Sequence, residues 1–296
     1  MAIQKVAVVG ASGTLGSEVV KALLRAGFDV TAITRNESQA KFPDSIAVRR
    51  ADLSSVESVK DAISGQDAIV STSATAGTGT QKVIIDATIA AKIERFIPSE
   101  FGIESRKYRD TKIGRLLASK VQNSDYLIEL ASKHDWFSWT GLSTGLFFEL
   151  PLKSGGAFVD VKNRKFTLVD SGNEPYSTSP LAFIGDAVAA ILKKPKETAN
   201  QYLNVAGILT TQNELLKAVE EVTGNKFEVS HVTGAELEKI ADEKIAKHDY
   251  SAFGQYIQQF LFADGAGHAL TAENSSNELL GLENEDVKAA VRRALA

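Results

Sequence analysis

The chain has 296 residues, a formal net charge of −4 and no cysteine. An acidic balance without a long run of Lys and Arg argues against nucleic-acid and anionic-membrane partners, and the absence of cysteine excludes disulfides and thiolate chemistry. The first residues lack the pattern of a signal peptide, and no apolar run approaches the ~18 residues of a membrane span. We therefore expect a cytoplasmic protein with a substantial hydrophobic core.

A glycine-rich turn follows the first predicted strand. The run from Lys5 to Val9 is short, apolar and β-branched, and apolar residues recur at helical spacing from Leu15 to Leu24. A strand, a glycine turn and a helix in this order predict a dinucleotide site, because the turn lets a pyrophosphate approach the helix N-terminus. The alternative is an ordinary turn without a ligand. The predicted cofactor contacts in this segment are Gly10, Ser12, Gly13, Thr14, Leu15 and Gly16.

Strands and helices alternate through the first half of the chain. The predicted strands after the first are 29–34, 46–49, 67–72, 95–98 and 136–142, and the predicted helices include 54–63, 80–91 and 115–133. This alternation is typical of an α/β protein with a Rossmann-type, doubly wound parallel sheet and right-handed crossovers. Ligands of such sheets bind beyond the carboxyl ends of the strands, so the residues that follow each strand are the candidates.

Cationic side chains follow the second predicted strand. An NAD site usually has an acid here for the ribose 2′-hydroxyl, whereas an NADP site has a cation for the 2′-phosphate. Arg35 offers a planar fork suited to phosphate, and Lys41 adds charge. These residues favour NADPH, although Glu37 argues against it and a solvated surface arginine is the alternative.

Small and polar residues follow the next two strands. Asp52 is a candidate acceptor for the adenine amino group, or an acid that begins the helix before Ser54. Thr72 and Ser73 come after the strand 67–72 and are small enough to let a cofactor pass close to the backbone.

The region around the fifth strand carries a specific resemblance. The segment beginning Gln81-Lys82-Val83 and the string Pro98-Ser99-Glu100-Phe101-Gly102 resemble the isoflavone reductase-like and NmrA-like group of atypical short-chain dehydrogenases. Within it they are most similar to the phenylcoumaran benzylic ether, isoflavone and pinoresinol-lariciresinol reductases and their fungal relatives. The resemblance covers residues 1–150 well and continues more loosely to the end. It implies NADPH as cofactor and adds Gln81, Ser99, Glu100 and Phe101 to the predicted contacts.

The resemblance also implies a catalytic lysine on the helix after this strand. The matching residue is Lys120, in the string Ala118-Ser119-Lys120-Val121. A lysine beside the nicotinamide can exchange a proton with a substrate phenol or carbonyl if burial lowers its pKa. The alternative is an exposed helix lysine.

A competing proton donor lies nearby in the sequence. Tyr108 and Lys112 form the Tyr-x-x-x-Lys pair of ordinary short-chain dehydrogenases, but Tyr108 follows Ser99 by only nine residues. The charged residues 104–107 favour a solvated loop as the better explanation.

Beyond residue 142 the alternation of strands and helices breaks. We expect domains at 1–150 and 151–296, the second a smaller α/β substrate lobe from which segments can return to the Rossmann sheet. A hairpin is predicted from 158–161 and 165–169. Phe147, Phe148 and Phe158 are candidates for an aromatic substrate pocket or for plain core. The four histidines lack metal-ligand spacing, so no metal site is predicted.

Two functional classes remain. The first is an NADPH-dependent reductase of an aromatic or phenolic small molecule, in which the reacting group is a ketone, an enone or a benzylic ether. The second is a regulator of the NmrA kind, which binds NAD(P) and a protein partner without turnover. The presence of Lys120 favours the enzyme, and the sequence leaves open whether the protein is a monomer or a homodimer.

Overall fold

The computed structural model describes residues 2–73, 80–155 and 158–296. Their strands are β1 (Lys5–Val9), β2 (Asp29–Arg35), β3 (Ala47–Ala51), β4 (Ala68–Ser71), β5 (Arg95–Ile97), β6 (Ser138–Ser143), β7 (Leu146–Phe147), β8 (Val159–Asp160), β9 (Lys165–Val169), β10 (Tyr176–Ser179), β11 (Gln201–Asn204), β12 (Ile208–Thr210) and β13 (Glu228–Val232). Their helices are α1 (Thr14–Arg25), α2 (Val56–Ile63), α3 (Gln81–Ala90), α4 (Lys112–Leu116), α5 (Ala118–Lys133), α6 (Glu149–Ser154), α7 (Leu181–Lys193), α8 (Gln212–Thr223), α9 (Gly234–Ala246), α10 (Phe253–Phe262), α11 (Asn277–Leu280) and α12 (Val287–Leu295).

The central sheet contains seven parallel strands in the order β11-β6-β5-β4-β1-β2-β3. The chain winds from β1 to β3 on one side and then crosses to β4 on the other. This order confirms the predicted Rossmann-type fold, and it places the switch point between β1 and β4. Residues after these two strands therefore lie where the fold binds ligands.

Helices cover both faces of the central sheet. On one face α1 packs against α7, and Val19, Leu23, Ile184 and Val188 are buried between them and the sheet. On the other face α2, α3 and α5 bury Val59, Ile85 and Leu127. Because β1 is covered on both faces, its sequence is a continuous apolar run instead of an alternating one.

The second lobe contains two three-stranded sheets, in the orders β12-β10-β7 and β13-β9-β8. The hairpin predicted at 158–169 is present as the antiparallel pair β8 and β9, and β13 joins it parallel to β9. Residues of α8, α9, α10 and α12 complete the core of this lobe.

Two elements from beyond residue 150 belong to the central layer. The chain enters the second lobe through β7 to β10 and then returns as α7, which packs on α1, and as β11, which pairs with β6. The remaining elements lie mostly in the second lobe.

The helix predicted at 115–133 is wrong as a single element. It is divided into α4 and α5 at Leu117, where φ is −100° and ψ is 16°. The Leu117 N–H donates to the Gly114 carbonyl at 2.9 Å, which tightens the end of α4. Gly114 packs directly on the Tyr108 carbonyl, so the backbone of α4 lies against the preceding loop.

Among the helices of the described ranges, none has both the length and the apolar composition needed to cross a bilayer.

Candidate active site

In the glycine turn after β1, the backbone lies too close to its neighbours for side chains at Gly10 and Gly16. Gly10 has φ +84°, a left-handed conformation, and a Cβ there would lie 2.9 Å from the Thr72 Oγ1. A Cβ at Gly16 would overlap the Gly10 carbonyl oxygen, so α1 lies as close to the turn as its backbone allows. Thr72 closes the turn from β4, because both its N–H and its Oγ1 donate to the Val9 carbonyl at 2.9 Å.

The N-terminus of α1 keeps an unneutralised positive end. Its N-cap is Gly13, which supplies no side-chain cap, and its first turn contains no acidic residue. A Cβ at Gly13 would meet only the Gly10 carbonyl oxygen at 3.2 Å among the described residues. Thr14 and Leu15 begin the helix, and Ser12 is exposed beside it. These features fit a pyrophosphate over the turn.

Arg35 and Lys41, the residues predicted to bind the 2′-phosphate, are both exposed. Lys41 lines a cleft of about 530 Å³ together with Ser12 and Ser17. Arg35, at the end of β2, lies 3.5 Å from Glu37, and both side chains are about 70% exposed, so this ion pair leaves Arg35 free to move. Arg50, which sequence reasoning missed, holds the loop by donating to the carbonyls of Asn36 at 3.0 Å and Ser38 at 2.7 Å.

Asp52 acts as a helix-start acid in this structure. Its Oδ1 accepts hydrogen bonds from the Ser54 N–H at 2.9 Å and the Ser54 Oγ at 2.6 Å. These hydrogen bonds lower the pKa of the Asp52 carboxyl. The contact of Asp52 with adenine stays a prediction.

Residues after β4 and β5 join in one hydrogen-bonded cluster. The Ser99 Oγ donates to the Ser73 carbonyl at 2.5 Å, and the Ser99 N–H donates to the Gln81 Oε1 at 2.8 Å. Gln81 is fully buried, and its Nε2 has no hydrogen-bond partner among the described residues. An unpaired buried donor at the carboxyl ends of the strands fits an acceptor supplied by a cofactor.

Lys120 and Glu100 are both buried behind the same strand end. The Lys120 Nζ donates to the Glu100 main-chain carbonyl at 2.6 Å, and the lysine is 8% exposed. Burial lowers the pKa of Lys120, and the negative charge of Glu100 opposes this shift. The alternative of an exposed helix lysine does not apply, because α5 presents Lys120 to the interior.

Three hydroxyl groups satisfy the fully buried Glu100 carboxylate. Tyr202 donates to it at 2.6 Å, Ser105 at 2.8 Å and Ser124 at 3.2 Å. Tyr202 comes from β11, and its ring lies against Gly141, where a Cβ would be 2.5 Å from the ring. Burial and then the negative charge of Glu100 raise the pKa of Tyr202 well above its ordinary range, so the phenol keeps its proton and donates a hydrogen bond to the carboxylate. No local sequence pattern indicates the hydrogen bonds of this cluster.

A cavity of about 590 Å³ opens beside Lys120, between the central sheet and the second lobe. Phe101, Phe147 and Phe158 line it, together with Phe253 and Phe262. Phe101 has φ +28°, and the following Gly102 carbonyl is held by the Thr144 N–H and the Ser143 Oγ.

The structure places Phe148 away from this cavity. Its side chain is 3% exposed and belongs to the core of the second lobe, with Leu152 and Phe158. Phe158 contributes to both the core and the cavity wall.

Tyr108 and Lys112 do not form the pair of ordinary short-chain dehydrogenases. Lys112 forms ion pairs with Asp242 at 2.7 Å and Glu238 at 2.8 Å, which raise its pKa. The Tyr108 hydroxyl lies 3.2 Å from the His268 Nδ1, and neither Tyr108 nor Lys112 lines the cavity beside Lys120. Among the described residues, no cluster of His, Asp or Glu has the arrangement of a metal site.

Fold and site together define a Rossmann-type α/β protein with a glycine turn and an adjoining apolar cavity that contains a buried lysine. The chain belongs to the NmrA-like family, whose model matches residues 3–260. Oxidoreductase aprR of Aspergillus flavus is 33% identical over 295 residues, covering 98% of each chain. Oxidoreductase poxI of Penicillium oxalicum is 29% identical over 293 residues, covering 96% of this chain and 92% of that protein.

Solved structures share the fold along the whole chain. AtPrR2 with NADP⁺ and (+)pinoresinol superposes with a TM-score of 0.81 at 20% identity, covering 99% of each chain. The leucoanthocyanidin reductase–NADPH complex from Vitis vinifera has a TM-score of 0.80 at 17% identity, covering 98% of this chain and 99% of that one. The predicted family and fold are confirmed.

Proposed function

We propose that this chain is an NADPH-dependent reductase of an aromatic or phenolic small molecule, in which Lys120 handles the proton. The observation that carries the proposal is the position of Lys120, buried at the wall of an apolar cavity and hydrogen-bonded to the strand end at Glu100. The relatives aprR and poxI carry the name oxidoreductase, and the similar structures AtPrR2 and leucoanthocyanidin reductase are complexes with NADP⁺ and NADPH.

The described residues fit this cofactor. The open backbone at Gly13 and the uncapped start of α1 would hold the pyrophosphate, and Arg35 with Lys41 would hold the 2′-phosphate. Thr72, Ser73, Gln81 and Ser99 would follow the cofactor along the strand ends toward Lys120. When bound, NADPH supplies the hydride, and the protein supplies binding, orientation and the proton.

Lys120 can give that proton to a substrate oxygen. Reduction of a carbonyl adds a hydride to carbon and a proton to oxygen, and the Lys120 Nζ ammonium is a charged acid on the cavity wall, held at the Glu100 strand end. Burial weakens the hold of Lys120 on its proton, and the Glu100 carbonyl keeps the Nζ oriented. The Lys120 ammonium, oriented by the Glu100 carbonyl, acts as a fixed proton donor at the cavity wall.

The cavity wall favours an aromatic substrate. Phe101, Phe147 and Phe158 offer ring faces and edges, and the wall is otherwise rich in aliphatic side chains such as Leu117 and Ile257. Whether the reacting bond is in a ketone, an enone or a benzylic ether depends on the pose, so the test covers all three.

The test measures NADPH binding and NADPH oxidation separately. The panel contains aromatic ketones, enones and benzylic ethers, and the proteins are wild type, Lys120→Met and the matched control Lys133→Met, an exposed lysine on the same helix. We expect Lys120→Met to bind NADPH normally but to lose roughly 10²-fold or more in rate, the usual contribution of a general acid. An unchanged rate in Lys120→Met would remove the lysine from the mechanism. Tight NADPH binding without turnover of any compound would favour the regulator of the NmrA kind.

A further inference from the structure

The cavity beside Lys120 contains a second lysine. Lys244, near the end of α9, lines it from the side of the second lobe, whereas Lys120 lines it from the central sheet. The Lys244 Nζ donates to the Ser251 Oγ at 3.1 Å and to the Gln255 Oε1 at 3.0 Å. Both partners are neutral and both also line the cavity.

The charge of Lys244 is not balanced inside the cavity. None of the described residues that line the cavity is acidic, and Lys244 forms no ion pair within the described ranges. Hydrogen bonds from Ser251 and, after them, the charge of Lys244 lower the pKa of Asp249, whose Oδ1 accepts from the Ser251 N–H and which lies outside the cavity wall. Lys112, on the neighbouring surface, shows the contrasting case, because two carboxylates bind it.

Lys244 and its neighbour Gln255 offer hydrogen-bond donors to a ligand in the cavity. Two of the three ammonium protons are used by Ser251 and Gln255, which leaves one for a ligand. The Gln255 Nε2 donates to none of the described residues, so it is also available. The rest of the wall is mainly apolar, which suits the body of an aromatic molecule and not a second charge.

We infer that the natural substrate is an aromatic carboxylate, whose carboxylate is bound by Lys244 and Gln255 while its reducible group lies at Lys120. This inference rests on the proposed function and narrows its substrate class. A single lysine with one amide matches the charge of a carboxylate, and a charge-assisted hydrogen bond to it is stronger than a neutral one. Lys244 is then a specificity-determining residue, and Lys120 remains the proton donor.

Matched acid and ester pairs test the inference. The probes are 4-acetylbenzoate, 4-carboxychalcone and 4-(benzyloxy)benzoate, each beside its methyl ester, titrated calorimetrically into NADP⁺-loaded protein. The pairs represent a ketone, an enone and a benzylic ether. For at least one pair we expect wild type to bind the acid about tenfold or more tightly than the ester.

The variants assign this preference to one residue. We expect Lys244→Met to bind acid and ester equally, Lys244→Arg to retain the preference in part, and Lys239→Met, an exposed lysine on the same helix, to behave as wild type. Equal binding of acid and ester by wild type, no binding of any acid, or an equal loss for both in Lys244→Met would overturn the inference. An equal loss for acid and ester would mean that Lys244 has only a structural role, as a hydrogen bond between α9 and α10.

The proposed function fails by a different result. If wild type does not bind NADP⁺, or if Lys120→Met turns over substrate normally, the reductase mechanism is wrong whatever the acids show. If NADP⁺ binds and Lys120 is required while acids have no advantage, only the inference about Lys244 is wrong.

Discussion

The Lys120 Nζ donates a 2.6 Å hydrogen bond to the Glu100 main-chain carbonyl, and the Glu100 side chain turns into the interior to accept three hydroxyl hydrogen bonds. One residue therefore orients the lysine with its backbone and anchors that backbone with its carboxylate. The geometry of the proton donor depends on side chains that never touch the cavity.

The rate should depend on pH through Lys120. The lysine must be protonated to act as an acid, so the rate is full below its pKa and is lost as the pH rises through it. Because burial lowers that pKa from the ordinary value of 10.5, the alkaline limb should appear below pH 10.5. The measurement is kcat against pH at saturating NADPH. A kcat that stays constant up to pH 10.5 would contradict this role of Lys120.

Tyr202→Phe should loosen the support of Glu100. The variant removes the 2.6 Å donor and leaves a buried carboxylate with fewer hydrogen bonds, which costs about 1–3 kcal/mol. Urea unfolding measures the loss. The control is Tyr126→Phe, whose hydroxyl donates to the partly exposed Asp86 at 2.7 Å and should contribute less. Equal losses of unfolding free energy in the two variants would show that the burial of Glu100 does not strengthen the contribution of its hydrogen bond to stability.

Gly13→Ala and Gly16→Ala should separate binding from folding. A Cβ at Gly16 overlaps the Gly10 carbonyl, so this variant should lose more than about 2 kcal/mol of stability. A Cβ at Gly13 meets one atom at 3.2 Å, so this variant should fold almost normally but bind NADPH more weakly. Thermal unfolding and NADPH titration check the pair. Normal NADPH affinity in Gly13→Ala would move the pyrophosphate away from this turn.

Arg35→Ala should change the choice of cofactor. If its guanidinium binds the 2′-phosphate, NADPH affinity falls about tenfold or more while NADH affinity stays the same. Lys41→Ala should act in the same direction, and Lys60→Ala, on the exposed side of α2, serves as the control. An unchanged ratio of the two affinities in both test variants would mean that the 2′-phosphate is held elsewhere.

Two adjacent phenylalanines should respond differently to truncation. Phe148→Ala removes a core side chain that is 3% exposed and should cost about 3–5 kcal/mol. Phe147→Ala removes a partly exposed side chain at the cavity wall and should mainly raise the KM. Chemical unfolding and steady-state kinetics on both variants test the contrast, which fails if Phe147→Ala leaves the kinetics unchanged.

Local sequence was sufficient for the central sheet and for the hairpin of β8 and β9, but not for every element of the second lobe. The β1 strand was predicted from its apolar, β-branched run, and the turn after it from its glycines, of which Gly10 has a positive φ. The β10 strand has the sequence Tyr-Ser-Thr-Ser, and all four residues are buried. Because all four side chains carry a hydroxyl group, the sequence does not indicate a buried strand. The break at Leu117 was also not predicted, because it depends on the contact of the Gly114 backbone with the Tyr108 carbonyl, and no sequence pattern indicates that contact.

The site could be predicted only where its residues belong to motifs. Lys120 and the strand end at Glu100 follow from the family resemblance. Tyr202 lies 102 residues from Glu100 in sequence, so nothing near either residue indicates their hydrogen bond. Lys244 is one of several charged residues on α9, and only the tertiary fold turns it toward the cavity.

The return of α7 and β11 to the central layer sets an order of maturation during synthesis. Domains form from the N-terminal side as the chain emerges. A nascent chain that has reached residue 150 already contains the glycine turn and Lys120, yet α1 has no α7 to cover it and Glu100 has no Tyr202. The part of the protein that would receive a dinucleotide is therefore synthesised well before the part that fixes its proton donor.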